Sequence, residues 1–225
     1  MSLRNSVVLK MIPGYGNTLS ISLTSILLSR VSASAGRLMR DHLHELEGLG
    51  QRIPPLPREI HMLGSIRAHG SDVAMGEQGR PLADGCLLLL QHAGRTWIGV
   101  GVHHPAEAAV PPTLECPEPI SENRVATSWW AYDDIAPHWD RLTLRVCQCR
   151  QGGAWEPMQV GPLSETYRPE HIRRDGNPGD AFPEGTILFC PIAPAPVRIA
   201  PDSQVRCELQ DEILERYIRL DFRNE

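Results

Sequence analysis

The stretch "PLADGCLLLLQHAGRTWIGVGVHHPAE", residues 81–107, constrains the fold more than any other. Two short apolar runs, Leu87–Leu90 and Trp97–Val102, flank "QHAGR", whose glycine and polar residues suit a hairpin turn. Neither run alternates with polar residues, so both read as strands buried on two faces. Such a ribbon must lie inside a larger β structure. Its ends carry Asp84 and Cys86 on one strand and His103 and His104 on the other. They could form a metal site, a metal-free acid/base site, or a site no longer used.

The remaining chain fits that β frame. With 225 residues there is room for one large domain or for a small lobe fused to a medium one. A hydrophobic content of 41% with 5% aromatic makes the core aliphatic, and 20 Pro with 19 Gly indicate many turns. Residues 17–31 alternate Leu19, Ile21 and Leu23 with Ser and Thr, so the first element reads as a strand. From Ser34, Met39, Leu43 and Leu46 recur at helical spacing, which predicts one amphipathic helix ending near Gly48–Gly50. After "IPPLP", residues 59–66 read as extended again. Five prolines make 104–119 an irregular loop, and Asp133 is expected to cap a short helical turn in "DDIAPHWD". Leu142, Leu144 and Val146 then alternate as a strand, with Cys147 and Cys149 pointing away from its apolar face as surface thiols. Residues 161–183 read as a loop or lid, "GTILF" as a strand, and the C-terminus as two strands joined near Asp211.

Charge and cysteine usage narrow the partners. The net charge of −5 is spread along the chain with no basic run, which argues against nucleic acid. No run is long and apolar enough for a membrane span, and six cysteines at irregular spacing without a CxxC pair fit reduced thiols in the cytoplasm. Lys10 is the only lysine, so a lysine base or Schiff base must use Lys10 or be dropped.

Three stretches, "DHLHELEGLG", "DDIAPHWDRLTLRV" and "EGTILFCPIAPAPVRIAPDSQVRCELQDEILERYIRLDFR", resemble an uncharacterised bacterial family related to the fumarylacetoacetate hydrolases. The resemblance implies a mainly β (α+β) fold: a mixed β-roll, often homodimeric, with short helical turns and a pocket at one mouth. Residues 1–65 would form a strand and helix packed on a roll of residues 66–225. It also implies a divalent metal in the wider superfamily, held by a Glu-x-Glu pair and an Asp on the next strand. Those positions correspond here to Asp84, Cys86 and His103. The family's lysine position falls near Thr113 or Leu114, and a substrate-touching glycine–threonine pair falls at Pro191 and Ile192.

These replacements leave few oxygen donors for a hard cation. Zinc at Asp84, Cys86 and His103 is one alternative. Metal-free proton transfer by Asp84, Cys86 and His103 or His104 is another, with one histidine facing inward because strand neighbours alternate. Trp129 and Trp130, Arg173 and His138 are candidate substrate contacts. Each also has a plainer reading: core tryptophans, a solvated Arg173–Arg174 pair, and packing or capping by His138 and Asp140. The expected function is a repurposed enzyme that isomerises, cyclises or eliminates from a small, largely apolar metabolite without a cofactor. The alternatives are a non-catalytic ligand-binding or scaffold protein and a zinc hydrolase or lyase acting on a small oxo- or enol-acid.

Overall fold

A computed structural model describes residues 5–12, 17–23, 25–29, 60–62, 65–69, 82–105, 122–166, 168–169, 184–193 and 196–224. In these the strands are β1 (Asn5–Ile12), β2 (Asn17–Leu23), β3 (Ser25–Ser29), β4 (Ile60–Met62), β5 (Ser65–His69), β6 (Leu82–His92), β7 (Arg95–His103), β8 (Glu122–Ala126), β9 (Ser128–Ala131), β10 (Leu142–Arg150), β11 (Trp155–Pro162), β12 (Thr186–Pro191), β13 (Val197–Arg198), β14 (Ser203–Asp211) and β15 (Arg216–Asn224). The mainly β expectation is met. The helix predicted after Ser34 and the loop 104–119, beyond His104 and Pro105, lie outside the described residues.

The buried ribbon organises the larger sheet. β6 and β7 pair antiparallel from Asp84↔His103 to His92↔Arg95, joined by Ala93 and Gly94 at positive φ (51° and 71°). A two-residue turn with both central residues left-handed matches the twist of the strands it joins. β7 continues to β8 and β9, while β12 and β13 take the other edge of β6. The strand order β2-β1-β9-β7-β6-β12-β3-β4 makes one mixed sheet, with β8 paired to β7 and β5. β1–β9, β12–β3 and β5–β8 are parallel pairs. The first strand is therefore β1, which the sequence reading passed over. Residues 17–31, read as one strand, form β2 and β3.

A second, antiparallel sheet, β11-β10-β14-β15, packs across the first. Alternation along the ribbon builds two cores. Leu87, Leu89, Ile98, Val100 and Val102 meet Leu144, Val146, Val205, Leu209, Leu220 and Phe222 of the second sheet. On the opposite face, Cys86, Leu88, Leu90, Trp97, Val125, Trp129, Ile187 and Phe189 form the other core. Burial on both faces explains why the ribbon reads as an unbroken apolar run.

The helical turn at Tyr132–Ile135 is present, but Asp133 lies within its first turn and Ala131 occupies the cap position without a side-chain bond. A 3-10 segment, Ala136–Arg141, follows, with proline setting its start. Gly161 and Pro162 end β11, and Leu163–Glu165 form another 3-10 turn, so the expected lid does not begin at Gly161. Cys149 is buried, its thiol donating to the Gly153 carbonyl at 3.1 Å, because the turn after β10 folds back over it. The surface-thiol expectation fails there.

Candidate functional site at the open end of the β6–β7 ribbon

The ribbon register brings three of the sequence candidates together. Asp84 lies directly opposite His103, and Cys86 opposite Gly101. The i, i+2 spacing puts Asp84 and Cys86 on one face of β6, and a cross-strand partner shares that face. Asp84 is 8% exposed and His103 3%. Burial pushes the Asp84 carboxyl up to about 7, partly offset by a hydrogen bond from Gln159.

Gln159 is placed there by a fault in the strand ladder. β12 leaves β6 at Pro191↔Cys86, and β13 rejoins it at Val197↔Ala83. Between them the Gly85 carbonyl accepts from Ile192 N–H at 3.1 Å, so the Gly85 N–H on the same edge needs another acceptor. Gln159 Oε1 supplies it at 2.8 Å, while Nε2–H of the same amide donates to Asp84 Oδ1 at 3.3 Å. A bulge lets Gln159 reach: Val146 pairs with Gln159, but Cys147 pairs with Pro157. Gly85 must be glycine, since a Cβ there would enter Val146 Cγ2.

Cys86 is fully buried and its thiol donates to the Asp84 carbonyl at 3.4 Å. Burial pushes this thiol well above its ordinary value, the neighbouring Asp84 and Cys190 and Cys207 add to the effect, and a bond from the His103 backbone N–H opposes it. His103 Nδ1–H donates to Asn123 Oδ1 at 2.7 Å. His104 takes the other face. Its Nδ1–H donates to the Leu82 carbonyl at 2.8 Å, and its ring meets Phe222 edge-on at 5.6 Å. Arg124 covers the same Phe222 ring at 4.5 Å. Of the two histidines, only His103 shares the face of Asp84.

The other candidates fall elsewhere. Trp129 and Trp130, expected as pocket walls, are fully enclosed, one in each core. Trp129 donates to the Ala126 carbonyl at 2.9 Å, and Trp130 lies under Arg216 at 4.4 Å. The His138 Nε2–H donates to Asp211 Oδ2 at 3.0 Å, while the exposed Asp140 pairs with Arg168 at 3.3 Å. The Lys10 side chain is exposed, which removes it as a buried lysine base. Arg173, Arg174, Thr113 and Leu114 lie outside the described residues. Pro191 and Ile192 are buried beside Gly85 and Cys86. Among the described residues, no three of His, Cys, Asp and Glu come together so as to hold an ion.

Asn123, Gln159 and the buried Arg124 were not singled out from sequence. For Asn123 a signal existed, since "NRVA" alternates and places it on the side of Val125. For Gln159 there was none, because a bulge leaves no mark in the residue pattern.

The family model described as "Protein of unknown function (DUF2848)" matches residues 36–222, most of the chain. The chain belongs to this DUF2848 family. No curated protein matches in sequence. Solved structures do match in shape. A candidate fumarylacetoacetate isomerase/hydrolase from Oleispira antarctica aligns with a TM-score of 0.61 at 13% identity, covering 96% of this chain and 98% of its own. A candidate fumarylpyruvate hydrolase from Burkholderia cenocepacia gives 0.60 at 14% identity, covering 99% and 92%. A yeast protein of the fumarylacetoacetate hydrolase family gives 0.56 at 12%, covering 89% and 92%. This DUF2848 chain thus has the fumarylacetoacetate hydrolase fold; identities this low speak for the fold alone.

Proposed function

We propose that this DUF2848 protein is an enzyme that isomerises, cyclises or eliminates from a small, largely apolar metabolite by moving protons, with Asp84 and His103 as the groups that move them. The observation that carries this reading is a buried carboxyl group, brought to about 7, directly opposite a buried imidazole on one face of a paired ribbon. A proton-transfer group works best when its pKa lies near the operating pH. Below about 7 Asp84 holds a proton it can donate, and a neutral His103 can accept one. The other groups here among the described residues, the Cys86 thiol and the Gln159 and Asn123 amides, carry no charge, which favours an apolar substrate over a polyanion.

The superfamily's divalent cation does not fit this donor set. A hard ion selects several oxygen ligands, and Asp84 offers one carboxyl group displaced toward its neutral form. Zinc would need Cys86 as a thiolate, but its sulfur is fully buried and donates to the Asp84 carbonyl. The reading therefore routes no step through a metal and leaves Cys86 as a wall. Homodimeric assembly and a cytoplasmic setting go with it, the first implied by the fumarylacetoacetate hydrolase resemblance. The second is supported by five free thiols among the described residues.

The test is solvent deuterium exchange into a panel of enolisable cyclic ketones and short 2-oxo acids, followed by NMR. Deuterium should enter beside the carbonyl, at a rate that falls as pH rises through about 7 and Asp84 loses its proton. Asp84→Asn and His103→Gln should each slow exchange by about 100-fold or more. Exchange at the wild-type rate in both variants would refute the assignment. A compound retained unchanged, with no exchange, would make the protein a binder.

A further inference from the structure

We infer that Asn123 is a positioning residue that holds the proton of neutral His103 on Nδ1 and so presents the ring's lone pair at Nε2. Its effect on turnover rests on the proton-transfer reading above; the tautomer does not. The Nδ1–Oδ1 separation is 2.7 Å, with Asn123 fully buried and His103 3% exposed. A carboxamide oxygen has no proton to give, so the hydrogen in this bond belongs to the imidazole. Neutral imidazole carries only one N–H, so the other nitrogen is left as the base.

Backbone pairing on both sides fixes the Asn123 end of this bond. Asn123 pairs with Ile66 of β5, while its strand neighbours Arg124 and Val125 pair with Val102 and Gly101 of β7. The amide is thereby aimed at the ring instead of following it. An aspartate here would also accept from Nδ1, but its charge would favour the imidazolium and raise the pH at which the ring takes a second proton. A neutral amide orients the ring without adding that charge. Turning the amide over would place its NH2 against Nδ1 and reverse the tautomer. The two orientations therefore give opposite, observable proton positions.

Long-range 1H–15N correlation spectra of histidine-labelled protein at pH 7.5 decide the matter. Wild-type His103 should carry its proton on Nδ1. In Asn123→Leu the proton should move to Nε2 or divide between the nitrogens, while His104, held by the Leu82 carbonyl, keeps its own pattern and reports that the fold is intact. Asn123→Asp should restore Nδ1–H. If exchange turnover exists, the Leu variant should lose about 100-fold in kcat, with KM changed by less than about threefold. A wild-type proton on Nε2 overturns the inference without any variant, as does an Asn123→Leu spectrum unchanged at His103. A correct tautomer without turnover on any compound would count against the proton-transfer reading alone.

Discussion

The molecule contains two Asp–His neighbourhoods built from the same residue types and set to opposite ends. Asp211 is fully buried and receives four donors: His138 Nε2–H at 3.0 Å and Arg216 Nε–H at 3.1 Å on Oδ2, and the backbone N–H groups of Ile213 and Leu214 at 3.1 Å each on Oδ1. Burial works to raise this carboxyl, but the bonds from His138, Leu214 and Arg216 win and hold it below the ordinary carboxylate range. At Asp84 the donor described at the carboxylate is one amide at 3.3 Å, the desolvation is heavier, and burial prevails. Desolvation and the number and charge of the donors together decide whether a buried aspartate is a fixed anion or holds a proton.

The sharpest way to break this contrast is to delete each carboxylate. Asp211→Ala strands the Arg216 charge and the N–H groups that close the β14–β15 turn, so unfolding free energy should fall by about 3–5 kcal/mol in denaturant titrations. A loss below about 1 kcal/mol would mean that this cluster is ornamental. Asp84→Asn should act in the opposite sense. The native state keeps the Asp84 proton between its unfolded value of 3.8 and about 7. In the wild type, stability therefore falls as pH rises through that window and is level above it. The full penalty is at most about 4 kcal/mol, and the Asn variant should flatten the slope. Asp211 has the reverse sign, because its folded value is depressed. Its contribution is complete above 3.8 and is lost as pH falls through that lower value.

Two smaller effects sharpen the comparison. Gly85→Ala forces a methyl group into Val146 and to 3.1 Å from Gln159 Oε1. It should cost about 1–3 kcal/mol and displace the Asp84 titration seen by carboxyl NMR. An unmoved titration would separate Gln159 from Asp84. Arg219 and Glu208 form a half-exposed pair on the outer face of the second sheet. Arg219→Met should change stability by less than about 1 kcal/mol. A larger loss would mean that a single ion pair outside the Asp211 cluster carries comparable weight, and the contrast would no longer be particular to Asp211.

Much of the contrast was legible in sequence at one end and little at the other. Apolar runs around a short turn gave the β6–β7 hairpin, while Asp84, Cys86 and His103 were grouped by the resemblance to the fumarylacetoacetate hydrolases, and the choice between His103 and His104 stayed open until the register was seen. The C-terminal segment has helical propensity, yet Ile218, Leu220 and Phe222 alternate and the chain forms β14 and β15. In "PHWD", read chiefly as scaffold with His138 also a candidate substrate contact, His138 bonds to Asp211. Residues that reach their places from afar left no trace. Gln159 meets Asp84 across 75 positions of chain, and Asp211 meets His138 across 73. The Asp133 cap misled because an aspartate before an apolar residue signals a helix start within a residue or two only.

The turn at Ala93–Gly94 acts as a length gauge for the pairing of Asp84 with His103 at the far end of its hairpin. From His92 back to Asp84 the strand travels about 27 Å at the usual rise per residue, and every rung between is counted from that turn. An inserted residue that the tip failed to absorb would slip the count by one and turn Asp84 or His103 to the opposite face, against the apolar packing on both faces that holds the register. Loop grafting at this solvent-facing tip, ordinarily the safest place to lengthen a protein, therefore bears on the candidate site at the other end of the ribbon.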